Sequence, residues 1–301
     1  MRSWEFTRVE GNKIRIDGWL AGVMGLVEGG YIYSSLFRYP EKGPKRYELL
    51  LSMYPQDNFR TLSHMVVYME DVPGATVQSA EFLAGQGVNI LNSVSLNGIS
   101  DTTIIWNIMG EISFAGEGEI IKERFARLKA QGDPSVSLIK HVSIKPASVG
   151  RIFRRDSDGV KEEVRHGSPI TLEDGAFDLC REYGDVLSDV DGTEVMITLD
   201  PASWLVSVVF FKQDTELVQI NMSIPDSPGA IGAALSCLAE ADVNLISVFS
   251  KIAIAYQKMS LEVVADIKSS GLSDAGLAER LRSHLSEQNG VFELSDLKRL
   301  N

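Results

Sequence analysis

The chain has 301 residues, of which 44% are hydrophobic and 23% are charged, as in an ordinary globular protein large enough for two or three domains. Its formal net charge of −12 excludes a general nucleic-acid binder, because such a protein needs a basic surface for the phosphates. Acidity otherwise indicates good solubility and nothing more specific.

The first segment, residues 1–61, is predicted to be a β-rich extension. Its charged start, MRSWEFTRVEGNK, lacks the apolar core of a signal peptide, so we expect a cytoplasmic protein. Residues 18–37 have roughly the length of a membrane span, but five glycines interrupt them and favour a Gly-rich turn between two strands. Two predicted strands follow, YIYSSLFRYP and RYELLLSMYP, separated by a turn at Gly43 and Pro44.

A stretch of twenty residues then occurs twice in similar form. Residues 71–90 read DVPGATVQSAEFLAGQGVNI, and residues 226–245 read DSPGAIGAALSCLAEADVNL. The two stretches align without a gap, so that both a Pro-Gly pair and a Val-Asn pair fall at the same offset. Chance would supply one of these pairs more readily than both. The chain therefore contains a duplicated module.

Each copy has the same order of predicted elements. An alternating apolar run precedes the Pro-Gly pair, and residues with helical spacing follow it. Two more apolar runs, an amphipathic helix and a last short apolar run complete each copy. The order strand, helix, strand, strand, helix, strand is the split β-α-β motif of a ferredoxin-like sandwich, in which two helices cover one face of an antiparallel sheet. We therefore predict an α+β fold with two such modules, at residues 62–145 and 216–301.

Residues 146–215 are predicted to be an α/β extension between the modules. The sequence PITLEDGAFDLCREYG predicts a helix, whereas TEVMITLD and WLVSVVFFK predict a hairpin around Pro201 and Ala202. No convincing identity relates this extension to residues 1–61. We expect each extension to precede its own module and to widen the sheet of that module or cover its edges.

The Pro-Gly turn has a structural and a ligand-binding interpretation, and the residues alone leave both open. Proline suits the first position of a helix, and glycine permits a tight connection from strand to helix. The N-terminus of a helix also carries unpaired N–H groups and a positive dipole, which suit a carboxylate or a phosphate. Asp71 and Asp226 are placed to meet an ammonium group or to cap the backbone, and Asn89 and Asn244 offer amides that donate and accept.

Asp-x-Pro-Gly, a helix and then Gly-Val-Asn-Ile together resemble the ACT domain, a small regulatory module of amino-acid metabolism. The resemblance covers residues 62–145 and 216–299. It implies a ferredoxin-like fold, pairing of modules, and amino-acid binding at their interface through the loop after the first strand and the start of the second. Carried over by motif, the implied ligand-binding residues are Asp71, Pro73, Gly74, Ala75 and Asn89 in the first module and Asp226, Pro228, Gly229, Ala230 and Asn244 in the second.

Two positions depart from the pattern of that family. Thr76 stands where a large aliphatic residue such as Ile231 is usual, and Asp242 stands where the first copy has the usual Gly87. Aspartate tolerates the left-handed conformation better than most residues, so the turn at Asp242 is still expected. Because the copies depart in different places, a purely structural role for one of the two sites stays open.

Candidates for catalysis or metal binding are few, and we predict no cofactor and no metal. Cys180 and Cys237 are predicted to be buried apolar residues of helices. The four histidines do not have the spacing of metal ligands relative to cysteines or carboxylates; they are His64, His141, His166 and His284.

The leading prediction is a non-catalytic regulatory protein that binds an amino acid or a similar small ligand and modulates a partner enzyme or its own assembly. Exposed sheet edges predict a homodimer or a higher homo-oligomer, with neither nucleic acid nor membrane as a partner. One alternative is an enzyme of amino-acid metabolism whose extensions build a pocket, with Tyr31, Arg38 and Arg155 as the first polar candidates. The other is an interaction scaffold without a ligand.

Overall fold

The structure, a computed structural model, describes residues 4–39, 43–54, 62–97, 102–112, 118–147, 161–200, 205–288 and 292–301. These residues form three sheets in which every pair of strands is antiparallel, together with six α-helices. The protein is therefore of the predicted mixed type, with helices packed on antiparallel sheets.

The elements follow one another in the same order twice. In the first half they are β1 (Trp4–Arg8), β2 (Lys13–Arg15), α1 (Gly18–Met24), β3 (Tyr31–Arg38), β4 (Lys45–Ser52), β5 (Leu62–Glu70), α2 (Ala75–Gly85), β6 (Asn89–Asn97), β7 (Thr103–Glu111), α3 (Gly118–Ala130) and β8 (Ile139–Pro146). In the second half they are β9 (Glu162–Glu173), β10 (Ala176–Asp178), α4 (Leu179–Tyr183), β11 (Glu194–Asp200), β12 (Leu205–Phe211), β13 (Leu217–Pro225), α5 (Ala230–Glu240), β14 (Asn244–Ile254), β15 (Lys258–Asp266), α6 (Asp274–Ser286) and β16 (Glu293–Arg299). Among the strands and α-helices of the described residues, the duplication thus includes the extensions as well as the modules.

Each Pro-Gly copy forms a four-stranded sheet, in the order β6-β7-β5-β8 in the first half and β14-β15-β13-β16 in the second. This order and the connections are compatible with the predicted ferredoxin-like modules. The alternation of each strand places one set of apolar side chains against the two helices of its module. Met65, Val67 and Trp106 lie in the first of these cores, and Ile220 and Val263 lie in the second.

The two extensions build one eight-stranded sheet together, in the order β1-β11-β12-β4-β3-β9-β10-β2. Glu10 and Lys13 exchange backbone hydrogen bonds of 3.2 and 3.1 Å, which join the two edges of this sheet into a barrel-like ring. Side chains of alternate residues fill its interior together with α1 and α4, among them Leu36, Phe177 and Val208. The extensions therefore form a sheet of their own, and the expectation that they widen the module sheets was wrong.

The eight-stranded sheet has an approximate two-fold symmetry. Exchange of β1–β4 with β9–β12 leaves the order of neighbours around the ring unchanged. The pairing of β2 with β10 is centred on Ile14 opposite Phe177, so that each half presents the same position to the other. Both halves also enter this pairing through a two-residue turn with positive φ, at Gly11-Asn12 (60° and 59°) and at Asp174-Gly175 (54° and 69°). Such turns match the twist of a hairpin.

Both modules pack on the ring through equivalent side chains, but to different extents. Leu62 and Met109 contact Tyr54 in the first half. Leu217 and Val264, at the same positions of the second module, contact a larger cluster of buried ring residues: Trp4, Met196, Val209 and Phe211. Among the described residues, the second module therefore has the larger buried apolar cluster against the ring.

Two local predictions were wrong. The predicted helix PITLEDGAFDLCREYG is mostly the hairpin of β9 and β10, because Asp174 and Gly175 adopt the left-handed turn, and only the short α4 remains helical. The segment predicted as a Gly-rich turn contains α1, which Asp17 caps by accepting a hydrogen bond from the Trp19 N–H at 3.0 Å. Cys237 is buried as predicted, whereas Cys180 is exposed. Within the described ranges, no helix is long and apolar enough to cross a membrane.

Phe177→Ala tests whether the pairing of the two halves stabilises the chain. Phe177 is 0% exposed at the centre of the β2–β10 pairing, so its truncation should lower the free energy of unfolding by about 3–5 kcal/mol. The control is Val27→Ala, at a side chain that is 67% exposed, for which we expect a change within about 0.5 kcal/mol. Denaturant unfolding of both full-length variants measures the difference. Equal stabilities would contradict the proposed role of the pairing.

Candidate functional site

The two Pro-Gly turns have the same backbone geometry. Gly74 (φ 93°, ψ −15°) and Gly229 (φ 89°, ψ −16°) are the N-cap residues of α2 and α5. The N–H of Ala75 donates to the Val72 carbonyl at 3.2 Å, and the same bond recurs between Ala230 and Ser227 at 3.2 Å. A glycine at the N-cap has no side chain to accept from the first N–H groups, and neither helix shows a side-chain cap hydrogen bond at that residue, so these groups are not satisfied from within the helix.

The prolines take a different position from the one predicted. Pro73 and Pro228 precede the N-cap glycines and do not occupy the first position of the helices. With glycine in the left-handed region directly after proline, each Pro-Gly pair forms the centre of a type II turn. The turn, and not the helix, therefore accounts for both residue types, since it needs the glycine and favours the proline.

The implied site residues beside the turns differ in how far their side chains are exposed. Ala75 and Ala230 are buried in the module cores, so only their backbone faces the turn. Asp71 is exposed. Asp226 is half-buried, and its Oδ2 accepts a hydrogen bond of 2.7 Å from the N–H of Tyr256, which ties the turn to the β14–β15 connection.

The two asparagines lie far from the turn of their own module. Asn89 pairs with Glu111, which pairs with Leu62 at the start of β5, whereas Asp71 follows the end of that strand. In the second module Asn244 pairs with Asp266, which pairs with Leu217 at the start of β13. A strand of nine residues separates these ends by about 30 Å. Each module alone therefore does not bring its asparagine to its turn.

The departures from the family pattern keep the backbone unchanged. Gly87 (φ 76°) and Asp242 (φ 57°) both adopt the left-handed conformation, as expected for the turn that precedes Val-Asn. Thr76 donates a hydrogen bond to the sulfur of Met69, whereas Ile231 packs against the core of its module. These substitutions therefore change the side chains around each turn and not its shape.

Sequence reasoning missed a buried ion pair on the outer face of the ring. Glu48 and Lys161 are 12% and 14% exposed, with a distance of 3.1 Å between carboxylate and ammonium. Tyr39 and Ser207 donate hydrogen bonds to Glu48 at 2.6 and 2.7 Å, and the ammonium lies 4.3 Å from the centre of the Phe37 ring. Burial acts to raise the pKa of Glu48, but Lys161 and the two hydroxyl groups outweigh it and lower that pKa.

The side chains named for the enzyme alternative do not converge. Tyr31 is 58% exposed, and Arg38 forms an exposed ion pair with Glu162. Arg155 lies outside the described residues. Within the part of the chain that the structure describes, no group of three or more His, Cys, Asp or Glu side chains is placed to hold a metal ion.

No protein-family model matches the chain, and no curated protein matches it. Among solved structures it is similar to an unknown protein from Galdieria sulphuraria, with 11% identity and a TM-score of 0.25 over 79% of this chain and 98% of that one. It is also similar to a putative glycine cleavage system transcriptional repressor, with 10% identity and a TM-score of 0.25 over 79% of this chain and 97% of that one. A third similar structure is the ligand-free regulatory subunit of aspartate kinase from Thermus thermophilus, with 10% identity and a TM-score of 0.22 over 75% of this chain and 93% of that one. Similarity at this level carries no argument about function.

Gly229→Ala tests the left-handed turn against a matched position of the same helix. An added Cβ would meet no atom within 4 Å, so the cost is conformational and should be about 1–2 kcal/mol of unfolding free energy. Gly232 lies inside α5 with equally open surroundings and an ordinary φ. Gly232→Ala should instead stabilise by about 0.5–1 kcal/mol. Opposite signs in denaturant unfolding support the turn geometry; equal signs contradict it.

Glu48→Gln should lower the free energy of unfolding by about 3 kcal/mol at neutral pH, because it leaves the buried Lys161 without its counter-ion. Since the pKa of Glu48 is lowered in the folded state, its contribution is present above the unfolded pKa of about 4.3 and is lost as the pH falls through the folded value. The difference between variant and wild type should therefore shrink in acid. Glu162→Gln, at an exposed pair, is the control and should change stability by less than about 1 kcal/mol. A pH-independent difference would count against the ion pair.

Proposed function

We propose that this chain is a non-catalytic regulatory protein whose two ACT-like modules bind an amino acid or a similar small carboxylate near the Pro-Gly turns. Binding changes the assembly of the chain or the activity of a partner enzyme. In this proposal the modules comprise residues 62–145 and 216–301, and the extensions 1–61 and 146–215 form the ring to which both are attached. The observation that carries the proposal is the recurrence of one uncapped helix start, with glycine at φ 93° and 89°.

The chemistry of the turn suits an amino acid. A ligand carboxylate accepts hydrogen bonds from N–H groups at the start of α2 or α5, where the helix dipole favours negative charge. The carboxylate of Asp71 or Asp226 is then available to the ammonium group. Because Asp226 already accepts a hydrogen bond from Tyr256, we expect the second turn to bind more weakly than the first.

The position of the asparagines connects binding to assembly. An amide from Asn89 or Asn244 reaches a Pro-Gly turn only from another module, because its own turn is at the far end of the sheet. The strands that carry these asparagines, β6 and β14, are edge strands with exposed aliphatic side chains such as Leu96 (54%) and Ile252 (60%). Pairing of these edges between two copies of the chain would supply the missing amide.

Calorimetric titration of the full-length protein against the twenty amino acids tests the ligand. We expect binding of one or a few of them, and Asp71→Asn should weaken it at least tenfold because the charged partner of the ammonium group is lost. Asp242→Asn makes the same charge change at the far end of α5 and should leave binding unchanged. A folded protein that binds none of the twenty, or an Asp71→Asn variant that binds like wild type, would overturn the proposal.

Light scattering tests the pairing of edges. Ile252→Lys places a charge on the β14 edge and should shift the protein toward the monomer. Ile120→Lys is the matched control, at a side chain of α3 that is 54% exposed and away from both edges, and should not change the mass. If wild type is monomeric with and without its ligand, the pairing of edges is wrong.

A further inference from the structure

The second module has an open sheet face that differs in chemistry from that of the first. Its helices cover the face that carries Ile220 and Val263, and the opposite face carries Gln219, Asn221 and Glu262. A groove of about 770 Å³ lies on this opposite face, beside the ring residue Trp4. We call it the Trp4 groove.

Polar groups converge on the floor of the Trp4 groove. The side-chain amide of Gln219 donates hydrogen bonds to the Glu262 carboxylate and, at 3.4 Å, to the side-chain oxygen Oδ1 of Asn221. All three side chains are half-buried. Phe249 lies opposite Glu262 in the β14–β15 pairing, and its ring is stacked against Trp4 with a centroid distance of 6.0 Å. One wall is therefore aromatic, and the floor carries a carboxylate with both donors and acceptors around it.

Two ammonium groups stand at opposite corners of the groove. Lys298 lies on the edge strand β16, opposite Gln219. Lys251 lies on the other edge strand, β14, opposite Ser260. Neither lysine forms an ion pair with any described residue. Both side chains are exposed, so a ligand anion can reach them.

The first module shows that the fold does not need a carboxylate at this place on the open face. At the positions of Asn221 and Glu262 it has Val66 and Asn107, which occupy the same places in the same register. The sheet therefore forms equally well without a carboxylate on this face. Ser223, the next residue on the polar face, is 5% exposed and its hydroxyl group has no partner among the described residues. A half-buried carboxylate that the fold does not require, beside a buried hydroxyl group without a partner among the described residues, points to a ligand.

We propose that the Trp4 groove binds a small zwitterion that carries an apolar group. The half-buried Glu262 binds the cationic nitrogen, because a partly desolvated carboxylate interacts more strongly than an exposed one. Lys298 binds the carboxylate, and Phe249, whose ring stacks on the buried Trp4, contacts the apolar group. This site is distinct from the Pro-Gly turns, since its floor lies on the open sheet face and uses none of the turn residues.

Three probes that differ by one charged group test the proposal on the full-length protein: L-phenylalanine, phenethylamine without the carboxylate, and 3-phenylpropionate without the ammonium group. Calorimetry gives the affinities, and quenching of Trp4 reports the site. We expect L-phenylalanine to bind at least tenfold more tightly than either relative. Trp4→Phe should remove the fluorescence change while calorimetry still detects binding.

Variants assign each charge. Glu262→Gln should lower the affinity for L-phenylalanine about tenfold, to the affinity that wild type has for 3-phenylpropionate, because in both cases the interaction with the ammonium group is lost. Lys298→Met should lower it to the affinity that wild type has for phenethylamine, because in both cases the interaction with the carboxylate is lost. Asn107→Ala, at the Glu262 position of the first module, should change nothing. Lys298 is an exposed residue of an edge strand, so its variant keeps the test intact if Glu262→Gln fails to fold.

The result that overturns the proposal is equal binding of the three probes, no binding, or an affinity that neither Glu262→Gln nor Lys298→Met changes. A loss that follows Asp71→Asn and not Glu262→Gln assigns the ligand to the turns and also overturns it. The turn proposal is judged separately, because the groove variants leave every turn residue in place.

Discussion

Backbone pairing between the two halves of the chain is the constraint on which the other features depend. β4 pairs with β12, and β2 pairs with β10, so each extension obtains its missing neighbours from the other. An isolated four-stranded extension would leave edge strands and half of its apolar side chains in water. The closed arrangement satisfies both requirements, and the modules are attached to its outer surface. The chain is in this sense a dimer of two similar halves joined covalently.

Duplication let the two copies of each module diverge. The second module packs on the ring through the cluster that includes Trp4 and Phe211, and beside this contact its open face has become polar. Among the described residues the first module makes a smaller contact around Tyr54, and its corresponding face carries Val66 and Ile105 in place of Asn221 and Ser260, beside the polar His64 and Asn107. One fold thus presents two chemically different surfaces, which is the basis for assigning different binding properties to the two halves.

The repeated module could be recognised from sequence because its turns depend on particular residues. A type II turn needs glycine at φ near 90°, and the left-handed positions Gly87 and Asp242 admit few residue types. The ring could not be recognised in this way, since any apolar residue fills its interior and the hairpin turns accept both Gly11-Asn12 and Asp174-Gly175. Long-range register was equally inaccessible. The pairing of strands places Asn89 far from the turn of its own module, and it brings Glu48 to Lys161, which is 113 residues away in the chain. Neither of these relations can be predicted from local sequence patterns.

The shared ring also sets the order in which the protein must form during synthesis. The first module contains all the strands of its own sheet and can fold soon after it leaves the ribosome. β3 and β4 have no such option, because Glu48 meets Ser207 of β12 only across 159 residues of chain. At about 5–20 residues per second, those strands wait on the order of 10–30 s for their partners. During that interval the apolar side chains of Leu49 and Leu51 lack the partners from the second half that bury them in the finished ring.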